Sequence, residues 1–181
     1  MKLKLIGGNN KKLITPVHLV SLERALKVGR ALVHFMKRRS CLGVAANQFG
    51  IMERVCAAKI HDDDNHGSII RFFVNPRIID RVGSQIGVEG CLSWPGVRGL
   101  VNRPAAVTVS FQFYHERFGD ELPASWQTTT ETFTGLNAVV MSHEIDHLDG
   151  IRCIDKMERP ANPPNIDAAG NEIGRITRGH S

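Results

Sequence analysis

Residues 141–150 read MSHEIDHLDG. His143 and His147 stand four apart, and Glu144 follows the first of them. On an α-helix, positions i and i+4 share a face one turn apart, so both imidazoles can turn toward one metal ion. Glu144 then projects to the side, toward a water in an open coordination position. A metal in such a site lowers the pKa of its water from about 15.7 to near 7. Glu144 can take that proton and pass it to a leaving nitrogen. HExxH on a helix is the sequence sign of this hydrolytic chemistry.

Two imidazoles leave a third ligand to be found. Cys153 is one candidate, because HEIDHLDGIRC puts it where the metzincin pattern HExxHxxGxxH has its last histidine. The other is Cys91, inside EGCLS at Glu89–Ser93. A thiolate there would complete a Cys/His/His set with one position left for water, as in catalytic metal sites. Spacing alone does not choose between the two cysteines.

The trio needs a helix, and Gly135–Leu148 supplies the pattern, with Thr134 as cap and Gly150 as terminator. A second helix is predicted from Thr15-Pro16 to about Arg38. Thr and Pro suit its first turn, and Val17, Val20, Leu26, Val33 and Met36 recur at helical spacing. Strands are predicted over Val55–Ile60, Ser68–Ile79 and Ser125–Phe133, with Pro76 marking an edge or a bulge. Ala106–Tyr114 adds another, with Val107, Val109, Phe111 and Phe113 on one face. His61–Gly67 and Glu116–Pro123 read as turns. The expected fold class is α+β: short antiparallel strands packed around a central metal-binding helix and an N-terminal amphipathic helix.

A chain of 181 residues fits one domain with a substantial core. No apolar run approaches the roughly 20 residues of a membrane helix, so no membrane partner is expected. The start MKLKLIGGNN lacks an apolar signal core, and the expected location is the cytoplasm. Four cysteines without CxxC spacing read as reduced thiols. Residues 1–60 hold twelve Lys or Arg against Glu23 and Glu53, while the remainder is net acidic. Such segregation suggests a face that meets a polyanion, here a ribosome or RNA.

EGCLS and HEIDH, together with CLGVAANQ at Cys41–Gln48, resemble the three signatures of the peptide deformylase family, in the family's order. The resemblance runs from about residue 20 to Asp155. Residues 1–155 would then be one catalytic domain, and the Pro-, Asn- and Gly-rich residues 156–181 an extended or loosely ordered tail. The resemblance implies Cys91, His143 and His147 as metal ligands and Glu144 as general acid and base. It implies that Gln48 and the backbone N–H of Leu92 hold the oxyanion formed at a formyl carbon. Gly43, with Leu42 and Gly90 beside it, would take the substrate backbone, and Leu136, Val139 and Val140 would line the pocket for a methionine side chain. Cys153 becomes a core cysteine, and Arg98 and Arg103 orient acidic groups or the loop. The native ion implied is Fe(II); a thiolate with two imidazoles also suits Zn(II), Ni(II) or Co(II). The implied reaction is removal of formyl from N-formylmethionyl peptides, with formate released.

This sequence departs from the family pattern at Cys41, Ser142 and Trp94. Those departures motivate a second enzyme reading, an amide hydrolase on another formylated substrate. A metzincin-like peptidase would need Cys153 as its ligand. A non-catalytic metal- or RNA-binding protein would have no use for Glu144 or Gln48.

Overall fold

The computed structural model describes residues 1–62, 67–115 and 125–158. Its helices are α1 (Leu22–Met36), α2 (Gly135–Leu148) and the short α3 (Cys153–Lys156). Its strands are β1 (Gly43–Ala45), β2 (Val55–Asp62), β3 (Gly67–Val82), β4 (Gln85–Cys91), β5 (Trp94–Arg103), β6 (Ala106–His115) and β7 (Ser125–Thr134). Five of them form an antiparallel sheet in the order β1-β2-β3-β6-β7, and β4 and β5 form a separate hairpin. The turn expected at Glu116–Pro123, most of the turn at His61–Gly67 and the tail beyond residue 158 lie outside the described residues. Among the described residues no helix is long and apolar enough to cross a membrane.

Alternation in β2 explains how one sheet carries two cores. Successive side chains point to opposite faces. Cys56, Ala58 and Ile60 join Phe73, Phe111 and Phe133 under Met141, Ile145 and Leu148 of α2. Val55 and Ala57 join Val44 and Val74 under Ala25, Val28, Leu32 and Met36 of α1. A strand buried on both faces reads as a continuous apolar run, which is how β2 reads. Phe73 meets Phe111 and Phe133 edge-on at centroid distances of 4.9 and 5.8 Å, an orientation that aromatic quadrupoles favour. The bulge expected at Pro76 is present. The β3–β6 register shifts between Val74 and Arg77, and the Pro76 carbonyl accepts a hydrogen bond from Arg54 Nε at 2.9 Å.

Two expectations need correction. The N-terminal helix begins at Leu22 and not at Thr15-Pro16. The backbone of residues 17–20 is taken by tertiary partners instead. Val17 N–H donates to the Leu148 carbonyl, His18 N–H to the Met52 carbonyl, and Val20 N–H to Asn75 Oδ1. Those bonds hold the segment extended until Ser21 takes the N-cap position. The strands are also less uniformly short than expected, since β3 runs for 16 residues. The β4–β5 hairpin went unread, because Gly87, Gly90, Pro95, Gly96 and Gly99 break its pattern and Ile86, Val88 and Leu100 face outward.

Candidate active site

The helix α2 is buried over most of its length, from Asn137 to Leu148. Gly150, with φ of +76°, ends it; a Cβ there would meet the Ile14 backbone at 2.9 Å. Buried polar groups normally find partners, and several on α2 do. Asn137 bonds the His61 backbone in both directions, at 2.9 and 2.8 Å. Asp146 takes Arg103 and, at 2.9 Å, Lys156 Nζ. Three atoms do not, Ser142 Oγ, His147 Nδ1 and Glu144 Oε2, and Glu144 is the informative one. It is only 4% exposed, and its Oε2 has no hydrogen-bond partner. Burial, with Cys91 and Glu89 adding to it, pushes its pKa up to about 7, against the lowering pull of His143 and His147.

Beside that carboxylate, the hairpin delivers a thiol. A register shift between Gly90 and Cys91 ends β4 there. One ligand atom each from Cys91, His143 and His147 lies within 4.8 Å of the others. Cys91 Sγ stands 3.2 Å from His147 Nε2. His143 Nδ1 is 2.8 Å from Glu89 Oε2, which leaves its Nε2 as the free ring nitrogen. Glu89 is held in turn by Arg103, whose Nε and second guanidinium nitrogen donate at 2.7 and 2.9 Å. Burial opposes ionisation of Glu89, yet Arg103 and His143 overcome it and hold the carboxyl at about 2. Carboxylates that fix a metal-binding histidine are a common supporting feature of such sites.

The electrostatics suit a cation. A hydrogen bond from Cys153, followed by His143 and His147, holds Cys91 down to about 2 against the opposing effect of burial. His143 is raised to about 10: burial works against its charge, but Cys91 and Glu89 favour it more. A thiolate this favoured draws either protons onto the imidazoles or a divalent ion in their place. The Cys/His/His donor set and the unpartnered Glu144 oxygen both fit such an ion.

A cleft of about 510 Å³ opens onto this cluster, lined by Leu42, Gly43, Gln48, Gly90, Cys91, Leu92, Leu136, Val139, Val140, His143 and Glu144. His147 is 1% exposed and does not line the cleft. Gly43 packs onto the general-base candidate, since a Cβ there would come within 2.4 Å of Glu144 Oε1. Gln48 accepts the Ala45 N–H at 2.9 Å and donates to Ser93 Oγ at 3.3 Å and Cys91 Sγ at 3.4 Å. Its amide is therefore aimed at the cluster.

Sequence reading missed the role of Glu89 and the outer wall formed by Val88, Pro95, Gly96, Val97 and Arg98. A glutamate two residues before a ligand cysteine is a usable signal for the first; nothing in the hairpin's composition announces the second. Arg103, expected to orient acidic groups, contacts both Glu89 and Asp146. Trp94 lies under the N-terminal segment, so close that a Cβ on Gly8 would fall 2.1 Å from its indole.

Comparison with known proteins bears on the family and the fold. The chain is 39% identical over 118 residues to the peptide deformylase of Acetivibrio thermocellus, which covers 65% of this chain and 60% of that relative. It is 40% identical over 126 residues to the enzyme of the same name from Caldicellulosiruptor bescii, covering 70% and 66%. The chain thus spans about three fifths to two thirds of the curated relatives it matches. Its fold matches a probable peptide deformylase from synechococcus phage S-SSM7, with a TM-score of 0.72 at 28% identity over 86% of this chain and 100% of that one. A Met-Ala-Ser-bound peptide deformylase from Acinetobacter baumannii gives a TM-score of 0.71 at 25% identity, over 87% and 99%. The polypeptide deformylase family model matches residues 8–162, and the chain belongs to that family.

Proposed function

We propose that this chain removes the N-terminal formyl group from formyl-methionine of newly made polypeptides and releases formate. The observation that carries the reading is the buried Glu144 carboxylate, with one oxygen unpartnered, lining the cleft together with Cys91 and His143, with His147 behind them completing the donor cluster.

The proposed roles follow from those positions. Cys91, His143 and His147 hold a divalent ion, Fe(II) by family resemblance, with Zn(II), Ni(II) or Co(II) compatible with the same donors. Such an ion supplies Lewis acidity, polarising the formyl carbonyl and acidifying water. Glu144 takes a proton at its free Oε2 and returns it to the leaving amine; its pKa near 7 suits both transfers. Gln48 Nε2 and the Leu92 N–H hold the oxyanion as charge develops. Gly43 and Gly90 let the peptide backbone lie close, with Leu42 beside them. Leu136, Val139 and Val140 form the apolar pocket for the methionine side chain. The Met-Ala-Ser bound to the Acinetobacter relative supports a methionine-first peptide as ligand.

For a partner, we propose a ribosome or RNA met through the basic N-terminal third. Lys27, Arg30 and His34 lie exposed at helical spacing along α1, and Lys37, Arg38 and Arg39 follow it, also exposed.

The test is formate release from formyl-Met-Ala-Ser, compared with formylated small amides and with an internal peptide bond. Turnover confined to the formyl peptide is expected. Faster turnover of a small formamide would favour the second enzyme reading, and endopeptidase cleavage would overturn both.

A further inference from the structure

A second cavity, of about 560 Å³, shares no lining residue with the cleft. The helix α2 walls both: Glu144 faces the cleft, while Ile145 and, just past the helix end, Asp149 face this cavity. Its volume is that of a small-ligand site. Its wall carries Arg54, Arg77, Arg81 and His18 against one acid, Asp149. Arg54 is built in. It is 9% exposed, its Nε donates to the Pro76 carbonyl at 2.9 Å, and its Nη1 donates to Asp149 Oδ1 at 2.7 Å. That pairing occupies the one acid. Arg77 and Arg81 come from the stretch of β3 where the register against β6 shifts twice, and both are exposed. Neither has an ion-pair partner among the described residues. Asp80, between them in sequence, does not line the cavity; its Oδ1 accepts the Arg81 N–H at 2.8 Å. Glu53, beside Arg54 in sequence, is taken by Arg24 at 3.0 Å.

We propose that this cavity is a phosphate-binding site, with Arg54 as its fixed floor and Arg77 and Arg81 as its open rim. Three guanidinium groups against one acid leave the recess net positive, and walls of one sign concentrate such a field. A guanidinium fork matches a pair of phosphate oxygens and can donate two parallel hydrogen bonds to them. Two of the three Arg54 side-chain nitrogens are already used, and Nη2 makes no hydrogen bond among the described residues. No Phe, Tyr or Trp among the described residues lines the cavity, so a nucleobase finds no stacking surface there. Recognition therefore stops at the phosphate. It is carried by free inorganic phosphate or by an RNA backbone held without regard to sequence. The site stands independently of the chemistry proposed for the cleft and of the basic residues on and after α1.

The experiment titrates the full chain with inorganic phosphate and follows the arginine Nε–Hε NMR signals. Ionic strength is held constant with chloride, so that general screening does not change. The signals of Arg54, Arg77 and Arg81 should move together and saturate on one curve. In Arg77→Gln/Arg81→Gln, the affinity read at Arg54 should fall about tenfold or more, since a hydrogen bond to a charged group carries at least that factor. Formate release from formyl-Met-Ala-Ser should be unchanged, because neither residue lines the cleft. Replacing Lys37, Arg38 and Arg39 with Glu should leave the phosphate affinity as it is. A short single-stranded RNA without terminal phosphates separates the two sources. Competition with phosphate at Arg54 assigns the RNA backbone as a ligand, and phosphate binding without competition assigns the free ion. Shifts that do not saturate, or that an equal concentration of chloride reproduces, overturn the proposal, and so does an unchanged affinity in the double variant. The wild-type titration decides the matter by itself should that variant fold poorly.

Discussion

Gly43→Ala is the smallest change that should reach the proposed chemistry. The new Cβ would stand 2.4 Å from Glu144 Oε1, 2.7 Å from its Cγ and 2.8 Å from its Cδ. Ordinary contact begins near 3.4 Å, so the carboxylate must back away by about 1 Å. Glu144 is 4% exposed and set in a buried helix, so the carboxylate must leave its position beside the donors, into the cleft or with α2. A displacement of about 1 Å at a reacting group costs on the order of 100-fold in rate. Metal content should hold, because the three atoms nearest the new Cβ all belong to Glu144 and none to a metal-donor residue. The assay is kcat for formate release from a formyl-Met peptide, with metal content and thermal unfolding measured on the same preparation. An unchanged kcat with a raised KM would place the methyl group against the substrate and not against Glu144, and the collision argument would be refuted.

Gln48→Ala should lower kcat by about tenfold to a thousandfold with less effect on KM, because an oxyanion donor acts chiefly in the transition state; unchanged kcat would show that the amide does not serve the reaction. Arg103→Met leaves Glu89 and Asp146 buried without their shared cation, and should cost about 3–5 kcal/mol of unfolding free energy. Urea denaturation reads that loss, and a stability equal to wild type would remove Arg103 as the anchor of the site. Replacing Lys37, Arg38 and Arg39 with Glu should abolish salt-sensitive co-sedimentation with ribosomes while leaving turnover of a free formyl peptide intact. Equal, negligible pelleting of wild type and variant at low salt would end that proposal.

The parts of this fold that are legible in the sequence are those where one local rule acts alone. The α2 helix announces itself through Gly135–Leu148 periodicity and the Gly150 stop, β2 and β6 through an apolar run and alternation, and β7 through its threonines. Thr15-Pro16 misleads because a good helix-start signal loses to tertiary hydrogen bonds that hold residues 17–20 extended. The β4–β5 hairpin is hidden because its stability comes from inward Val101 and Arg103, not from its glycine-rich composition. Within the site, i and i+4 spacing shows His143 and His147, but the third donor depends on chain folding. Cys91 lies 56 residues from His147, and the geometry, not the spacing, brings their atoms to 3.2 Å. Glu89 as the support of His143 is invisible for the same reason, being 54 residues away. The closeness of Gly43 to Glu144 belongs to the packing of β1 on α2, which no local pattern encodes.

The central claim separates metal holding from proton transfer, and paired measurement of bound metal and formate release in Glu144→Gln and Cys91→Ser tests it most directly. Glu144→Gln should keep about one metal ion per chain and lose turnover, because its carboxylate lies beside the donors without being one of them. Cys91→Ser should lose both, since a hydroxyl is a far poorer soft ligand than a thiolate. Loss of metal from Glu144→Gln in proportion to activity, or full metal retention by Cys91→Ser, would contradict the account.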